Sequence, residues 1–337
     1  MNASPNLVAA AVPECVRGNV APDIRLNRLL VPLDFSAASV RAYHYAAALA
    51  ECFGGELTLL NVVPPPMLPE WGYAHLARRD EQLKTVARRK LEHFVNTQGP
   101  ASQRVSQLLV RAGDPQLQIP EAAREQRADL VVIATHGDSP LPHCLLNNTA
   151  EEVVRRAACP VWVVPGLTSD EAELQPALFP LRRILVGTDF SAESRKALRY
   201  GIALAREFDA TLHLVHVVPT LLPADVSHLA TVLQEAAMKE TARRELARMS
   251  TEEVPASLRV VTAVLSGNPF LEIDKEALRV RAGLVVVSTH GHTGLRYLLL
   301  GCTAQRVVQH TSVPVLVVRE REPEFLPLIE ASKPMPS

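Results

Sequence analysis

His290 and His292 stand two residues apart, with Gly291 between them and Gly294 and Gly301 beyond. Paired imidazoles point to a metal or to acid–base work, whereas glycines at these steps point to backbone that approaches a ligand closely. A zinc site needs a third protein ligand, and no carboxylate or cysteine stands at a recognisable spacing from the pair. The usual signatures of phosphoryl and acyl transfer are missing too. There is no G-x-x-x-x-G-K-[ST] loop and no G-x-S-x-G elbow, and no paired carboxylates or Ser-His-Asp set emerge. The backbone reading is the stronger one, and no dedicated catalyst is visible.

Such a loop needs a strand to deliver it and a helix to receive it. "LVVVSTHG", ending at Gly291, is a β-branched run, and "GCTAQRVVQHT", from Gly301, reads as a helix. The arrangement occurs twice in the chain. "LLVPLDFSAAS" reappears as "ILVGTDFSAES", with Asp34 and Asp189 separated by 189 − 34 = 155 positions. "LVVIATHG" matches "LVVVSTHG" at an offset of 291 − 137 = 154, and "RAGDP" with "LSGNP" and "CPVWVVP" with "VPVLVVR" follow at the same offset. A period this long marks a duplicated domain, because solenoid repeats run to about 20–50 residues.

Each copy alternates five short apolar strands with four helical stretches, which predicts a parallel sheet with helices on both faces. In the second copy a long helix is expected from Val226 to Met249, with Val226, Leu229, Val232, Leu233, Ala236, Ala237 and Met238 on its apolar face. The domain organisation read from the chain is a disordered leader over 1–24, a first domain over 25–165, a proline-bounded linker over 166–180, a second domain over 181–320 and a tail over 321–337.

In this setting the residues resemble the universal stress proteins. The "DFS" turns, the "THG" loops, the closing "PVWVV" and "PVLVV" strands and their order all match across both copies. The resemblance implies two tandem doubly wound α/β domains, Rossmann-like and similar to adenine nucleotide alpha hydrolases. It also implies a fourth-strand motif, G-x2-G-x9-G-[ST], that wraps ATP phosphates while the ends of strands one and two hold the adenosine. The second copy reads Ser288-x2-Gly291-x9-Gly301-Cys302-Thr303, keeping two of the three glycines. Carried over residue by residue, the resemblance places Gly187, Thr188, Asp189 and Val217 on the adenosine side. Ser288, His290, Gly291, Gly301, Cys302 and Thr303 fall around the phosphates, with Mg2+ as the accompanying ion.

The first copy departs further, reading Ala134-x2-Gly137-x9-Asn147-Asn148, with Pro140 and Pro142 removing N–H donors from the loop. It is expected to bind no nucleotide, and Asn147 to cap the next helix. Asp34 and Asp189 precede Ser36 and Ser191, so capping is one reading of them and ligand contact another. His213 and His216 sit in an apolar strand, where structural hydrogen bonding is expected. Cys302 reads either as a redox-sensitive thiol at a helix start or as a small residue that fits. The resemblance further implies that fifth-strand edges pair, making one chain an internal pseudo-dimer, with a homodimer of chains as a further level. Two other functional readings stand beside ATP binding: a nucleotide-independent signalling or partner-binding stress protein, and a slow phosphohydrolase using His290 or His292.

The bulk composition is consistent with this. A chain of 337 residues suits two domains, and a formal net charge of -1 advertises neither nucleic acid nor anionic membrane as partner. No apolar run reaches the length of a membrane span, and the first residues lack a signal core. Five cysteines without C-x-x-C spacing read as thiols in a reducing compartment, so a cytoplasmic protein is expected.

Overall fold

The computed structural model describes residues 24–64, 76–135, 149–166, 181–220, 228–289 and 302–319, with Glu322 and Leu326; for 76–80, 101, 228–232 and Cys302 only the backbone is described. The first copy runs β1 (Arg28–Pro32), α1 (Ala37–Phe53), β2 (Glu56–Val63), α2 (Leu76–Thr97), a 3-10 turn (Gly99–Arg104), β3 (Val105–Ala112), α3 (Pro115–Glu125), β4 (Leu130–Ala134), α4 (Thr149–Arg156) and β5 (Val161–Val164). The second runs β6 (Arg183–Gly187), α5 (Ala192–Glu207), β7 (Thr211–Val218), α6 (His228–Glu252), β8 (Val260–Ser266), α7 (Pro269–Arg279), β9 (Leu284–Ser288), α8 (Cys302–His310) and β10 (Val315–Val318).

Local chemistry sets these boundaries. Ser36 and Ser191 cap α1 and α5 through hydroxyls that accept the N–H of Ser39 and Ser194. Pro115 and Pro269 open α3 and α7, where a missing N–H costs nothing. Gly201 lets α5 lie close on the sheet, since a Cβ there would overlap the Val186 side chain.

The ten strands form one sheet in the order β3-β2-β1-β4-β5-β10-β9-β6-β7-β8. Within each copy the pairing is parallel and the order is third, second, first, fourth, fifth. The copies join where β5 and β10 pair antiparallel, with Val161 opposite Val317, Trp162 opposite Leu316 and Val163 opposite Val315. The fifth-strand edges thus meet inside the chain. Side-chain alternation along these strands divides the interior into two layers. Trp162, Val164, Leu316 and Val318 lie in the layer under α1, α2, α5 and α6, whereas Val161, Val163, Val315 and Val317 lie under α3, α4, α7 and α8. Each layer draws on both copies, so the repeats share their cores.

Three expectations change. The buried face of α6 is formed by Ala242, Leu246 and Met249, while Leu233 is 62% exposed and Met238 is also exposed. The core-facing stripe lies in the charged later turns, where α6 meets the sheet. Ile24 and, beyond β10, Glu322 and Leu326 are buried, so packing extends past both expected domain limits. Cys52 is disulfide-bonded, contrary to the expectation of free thiols; the spacing of the five cysteines carries no signature from which a bridge could be read. Cys159 is free and buried, and burial pushes its thiol up to about 12, which leaves it unreactive.

Candidate functional site

Strand order reverses between β6 and β9, which are direct neighbours with Ile184 opposite Leu284, Leu185 opposite Val285 and Val186 opposite Val286. Chains leaving two adjacent strand ends in opposite directions open a crevice there, where open α/β sheets take their ligands. Gly187 and Thr188 leave β6 at this point, and Ser288 and Thr289 leave β9. The β1 and β4 ends form the equivalent place in the first copy, with Leu29 opposite Leu130.

The turn after β6 is tightly organised. Thr188 is buried, its N–H bonded to the Val215 carbonyl at 2.9 Å. Its Oγ1 accepts the Phe190 N–H at 3.0 Å and lies 3.0 Å from the Ser194 hydroxyl. Phe190 adopts φ 67°, a left-handed conformation that costs a bulky residue about 1–3 kcal/mol and persists only when its surroundings enforce it. Part of that enforcement is the Phe190 ring stacking on His216, with centroids 4.4 Å apart. His216 Nδ1 lies 2.8 Å from the Thr188 carbonyl, which can only accept, so Nδ1 carries the proton. Burial lowers the His216 pKa below its usual 6.5, outweighing the Thr188 bond and the Asp189 charge, which act to raise it.

Asp189 Oδ1 accepts the Ser191 N–H at 3.1 Å and the Ser191 hydroxyl at 2.5 Å. Asp34 repeats this on Ser36 at 3.0 and 2.6 Å. Both aspartates therefore brace a helix cap. The histidine and its counterpart also agree in role: Asn61 Nδ2 donates to the Leu33 carbonyl at 2.7 Å, and Phe35 holds φ 68°.

Of the other sequence-derived residues, Gly187 ends β6, and a Cβ there would come within 3.3 Å of the Ile273 side chain and 3.6 Å of Val287. The first copy has Pro32 at that place. Val217 is 8% exposed and belongs to the layer under α7 and α8, so it presents only an edge. Ser288 pairs in register with Val318 and is partly exposed, as is Thr303 in the first turn of α8. His290, Gly291, His292 and Gly301 lie outside the described residues, as do the Cys302 side chain and, in the first copy, His136, Gly137, Pro140, Pro142, Asn147 and Asn148.

The receiving helices differ in charge. The first turn of α4 carries Glu151 and Glu152, whereas the first turn of α8 carries no acidic residue and has Gln305 and Arg306 at the matching positions. An anion is stabilised at a helix N-terminus by free N–H groups and the dipole, and carboxylates already there oppose it. Sequence reasoning passed over this difference, although the aligned repeats display it. It also passed over contacts between the copies: Glu151 with Gln305 and Gln309, and Arg319 with the Ala157 carbonyl. Buried Lys196, which donates to the Arg319 and Glu322 carbonyls at 2.7 and 3.2 Å, was a further omission. Among the described residues no group of three or more His, Cys, Asp and Glu could hold a metal, and no helix is long and apolar enough to cross a membrane.

Two parallel half-sheets, each reversing its strand order between first and fourth strands, place the chain among the doubly wound α/β proteins, whose ligands sit at that reversal. The model of the universal stress protein family matches residues 26–165 and again 180–319. The chain belongs to that family, with two copies in tandem. A universal stress protein of Mycolicibacterium smegmatis is 27% identical over 87% of this chain and 97% of its own length. One from Methanocaldococcus jannaschii is 34% identical over 42% of this chain and 85% of its own length. The crystal structure of a universal stress protein from Archaeoglobus fulgidus has a TM-score of 0.57 and 21% identity, covering 90% of this chain and 99% of that one, a likeness of fold.

Proposed function

We propose that the second copy binds an adenine nucleotide, ATP, at the β6–β9 crevice, and that the protein acts in stress response through occupancy of this site rather than through dedicated catalysis. The observation that carries the reading is the contrast between the two receiving helices: α8 has no acidic residue in its first turn, while α4 has two. Phosphates would lie against backbone N–H groups of the segment from His290 to Thr303, with Gly291 and Gly301 admitting close approach and Ser288 and Cys302 flanking. Gly187, Thr188 and Asp189 would line the adenosine side, with the edge of Val217 against the base.

The chemistry present fits that assignment. A side-chain-free position at Gly187, a hydrogen-bonded turn and a helix first turn without carboxylates suit an uncharged base at one end and phosphates at the other. Mg2+, when bound with the nucleotide, would neutralise phosphate charge and keep several of its own waters. With no side-chain base or nucleophile assigned, any hydrolysis is expected to be slow.

The test is to denature gently purified protein, identify released nucleotide by mass spectrometry, and titrate ATP into the stripped chain by calorimetry. One ATP per chain is the expected stoichiometry, and Gly301→Val should abolish binding while the circular dichroism spectrum is retained. Two per chain would mean that the Asn147 loop also binds. No retained nucleotide and no binding at millimolar ATP would overturn the reading and favour a partner-binding role, with Ser288 and Cys302 as marks of a lost site.

A further inference from the structure

We infer that Glu151, in the first copy, is a positioning residue for the second copy's site; this rests on the nucleotide reading above. Glu151 Oε2 accepts from Gln305 Nε2 at 2.8 Å and Oε1 accepts from Gln309 Nε2 at 2.6 Å. Gln305 and Gln309 stand four residues apart on α8, so one carboxylate grips two successive turns of the helix. Hydrogen bonds to an ionised acceptor are about twice as strong as neutral ones, and this pair is partly shielded from water.

The placement of the charge gives the contact its meaning. Positions 151 and 305 are 305 − 151 = 154 apart, the offset of the repeat, so equivalent residues face each other across the approximate two-fold axis between copies. Two carboxylates meeting there would repel, and two amides would leave the grip uncharged. One carboxylate against one amide gives a strong and directed contact. The acid stands on α4, which receives the loop carrying Pro140 and Pro142, and the amide stands on α8. The reverse choice would put a carboxylate into the first turn of α8, where it competes with phosphate for the helix dipole. The first copy therefore supplies the anchor and keeps its charge off the helix that faces the ligand.

The decisive experiment uses the full chain with Glu151→Gln, a substitution of nearly equal volume that removes the charge and replaces one of the two acceptor oxygens by an NH2 donor. In nucleotide-free protein, amides across Cys302–His310 should exchange hydrogen about tenfold faster, and ATP should bind about tenfold more weakly in calorimetry. Unchanged exchange overturns the anchoring, and unchanged affinity overturns the role at the site. A wild-type chain that binds no ATP overturns the nucleotide reading itself, and the exchange data still decide the anchoring. The exchanged pair, E151Q with Q305E, restores one carboxylate–amide bond between the copies and should recover part of the protection of α8, yet bind ATP about threefold more weakly than wild type or worse, because the acid now lies in the first turn of α8. Wild-type affinity in that double variant would overturn the account of charge placement.

Discussion

The two copies share strand order, capped first helices, a left-handed phenylalanine and a polar side chain bonded to the carbonyl just beyond the first strand. They differ where a ligand would meet them. The first copy ends its opening strand in Pro32 and begins α4 with two acids; the second ends its strand in Gly187 and begins α8 with none. The framework was kept in both, while the chemistry for close backbone approach and anion binding was kept in one. On the proposed reading the first copy is a structural partner, and its contribution to function runs through the contact between copies.

The comparison can be broken most forcefully at that contact. Trp162, 1% exposed, faces Leu316 across β5 and β10, a large residue opposite a medium one at equivalent positions. Trp162→Ala should cost about 3–5 kcal/mol in denaturant unfolding followed by circular dichroism, with both copies losing stability together. The exchanged pair, W162L with L316W, should recover most of that loss; full recovery by W162L alone would show that the asymmetry is immaterial.

The caps sharpen the comparison at a smaller scale. Ser36→Ala and Ser191→Ala should each destabilise by about 1 kcal/mol, since each removes the oxygen that satisfies a helix N–H. If Asp189 contacts adenosine as proposed, Ser191→Ala should also weaken ATP binding, whereas Ser36→Ala should leave it unchanged. Equal effects on affinity would remove Asp189 from the site.

The smallest effect concerns pH. Burial lowers the folded-state pKa of His44, His213 and His216 below the usual 6.5, so the unfolded chain takes up protons first as pH falls. Their stabilising contribution is complete above about pH 6.5 and is lost as pH falls through the folded values. His216→Asn installs the first copy's residue, which can keep the bond to the Thr188 carbonyl. It should change stability by less than about 1 kcal/mol at neutral pH and flatten part of the decline of the melting temperature below about pH 6.5. An unaltered slope would exclude His216 as a contributor.

Much of the fold was legible because strands buried on both faces read as continuous β-branched runs, and because the duplication states each element twice. Capping at these turns was legible from residue type, but the sequence assigned it to Asp34 and Asp189, whereas Ser36 and Ser191 are the N-caps and the aspartates accept from their hydroxyls. The stripe of α6 was misread: apolar Leu233 and Met238 fall on turns that stay exposed, while Leu246 and Met249 reach the sheet from among arginines and glutamates. Where a helix overhangs its sheet is a tertiary fact that periodicity does not encode. In the turn after β6, Thr188 and Asp189 could be named from the motif, but the hydrogen bonds they make there, the His216–Phe190 stack and the Glu151 contact needed coordinates. Each joins residues that are distant in sequence and become neighbours only through sheet order.

Pairing β5 with β10 within one chain also changes how the assembly responds to dilution. Two separate subunits meeting at their fifth strands would come apart as their concentration fell, whereas tethered copies see each other at a fixed effective concentration, of millimolar order for short flexible linkers. The Trp162–Leu316 contact and the Glu151 anchor on α8 are then present at any cellular abundance. A single newly made chain, with no second molecule to wait for, already carries both contacts.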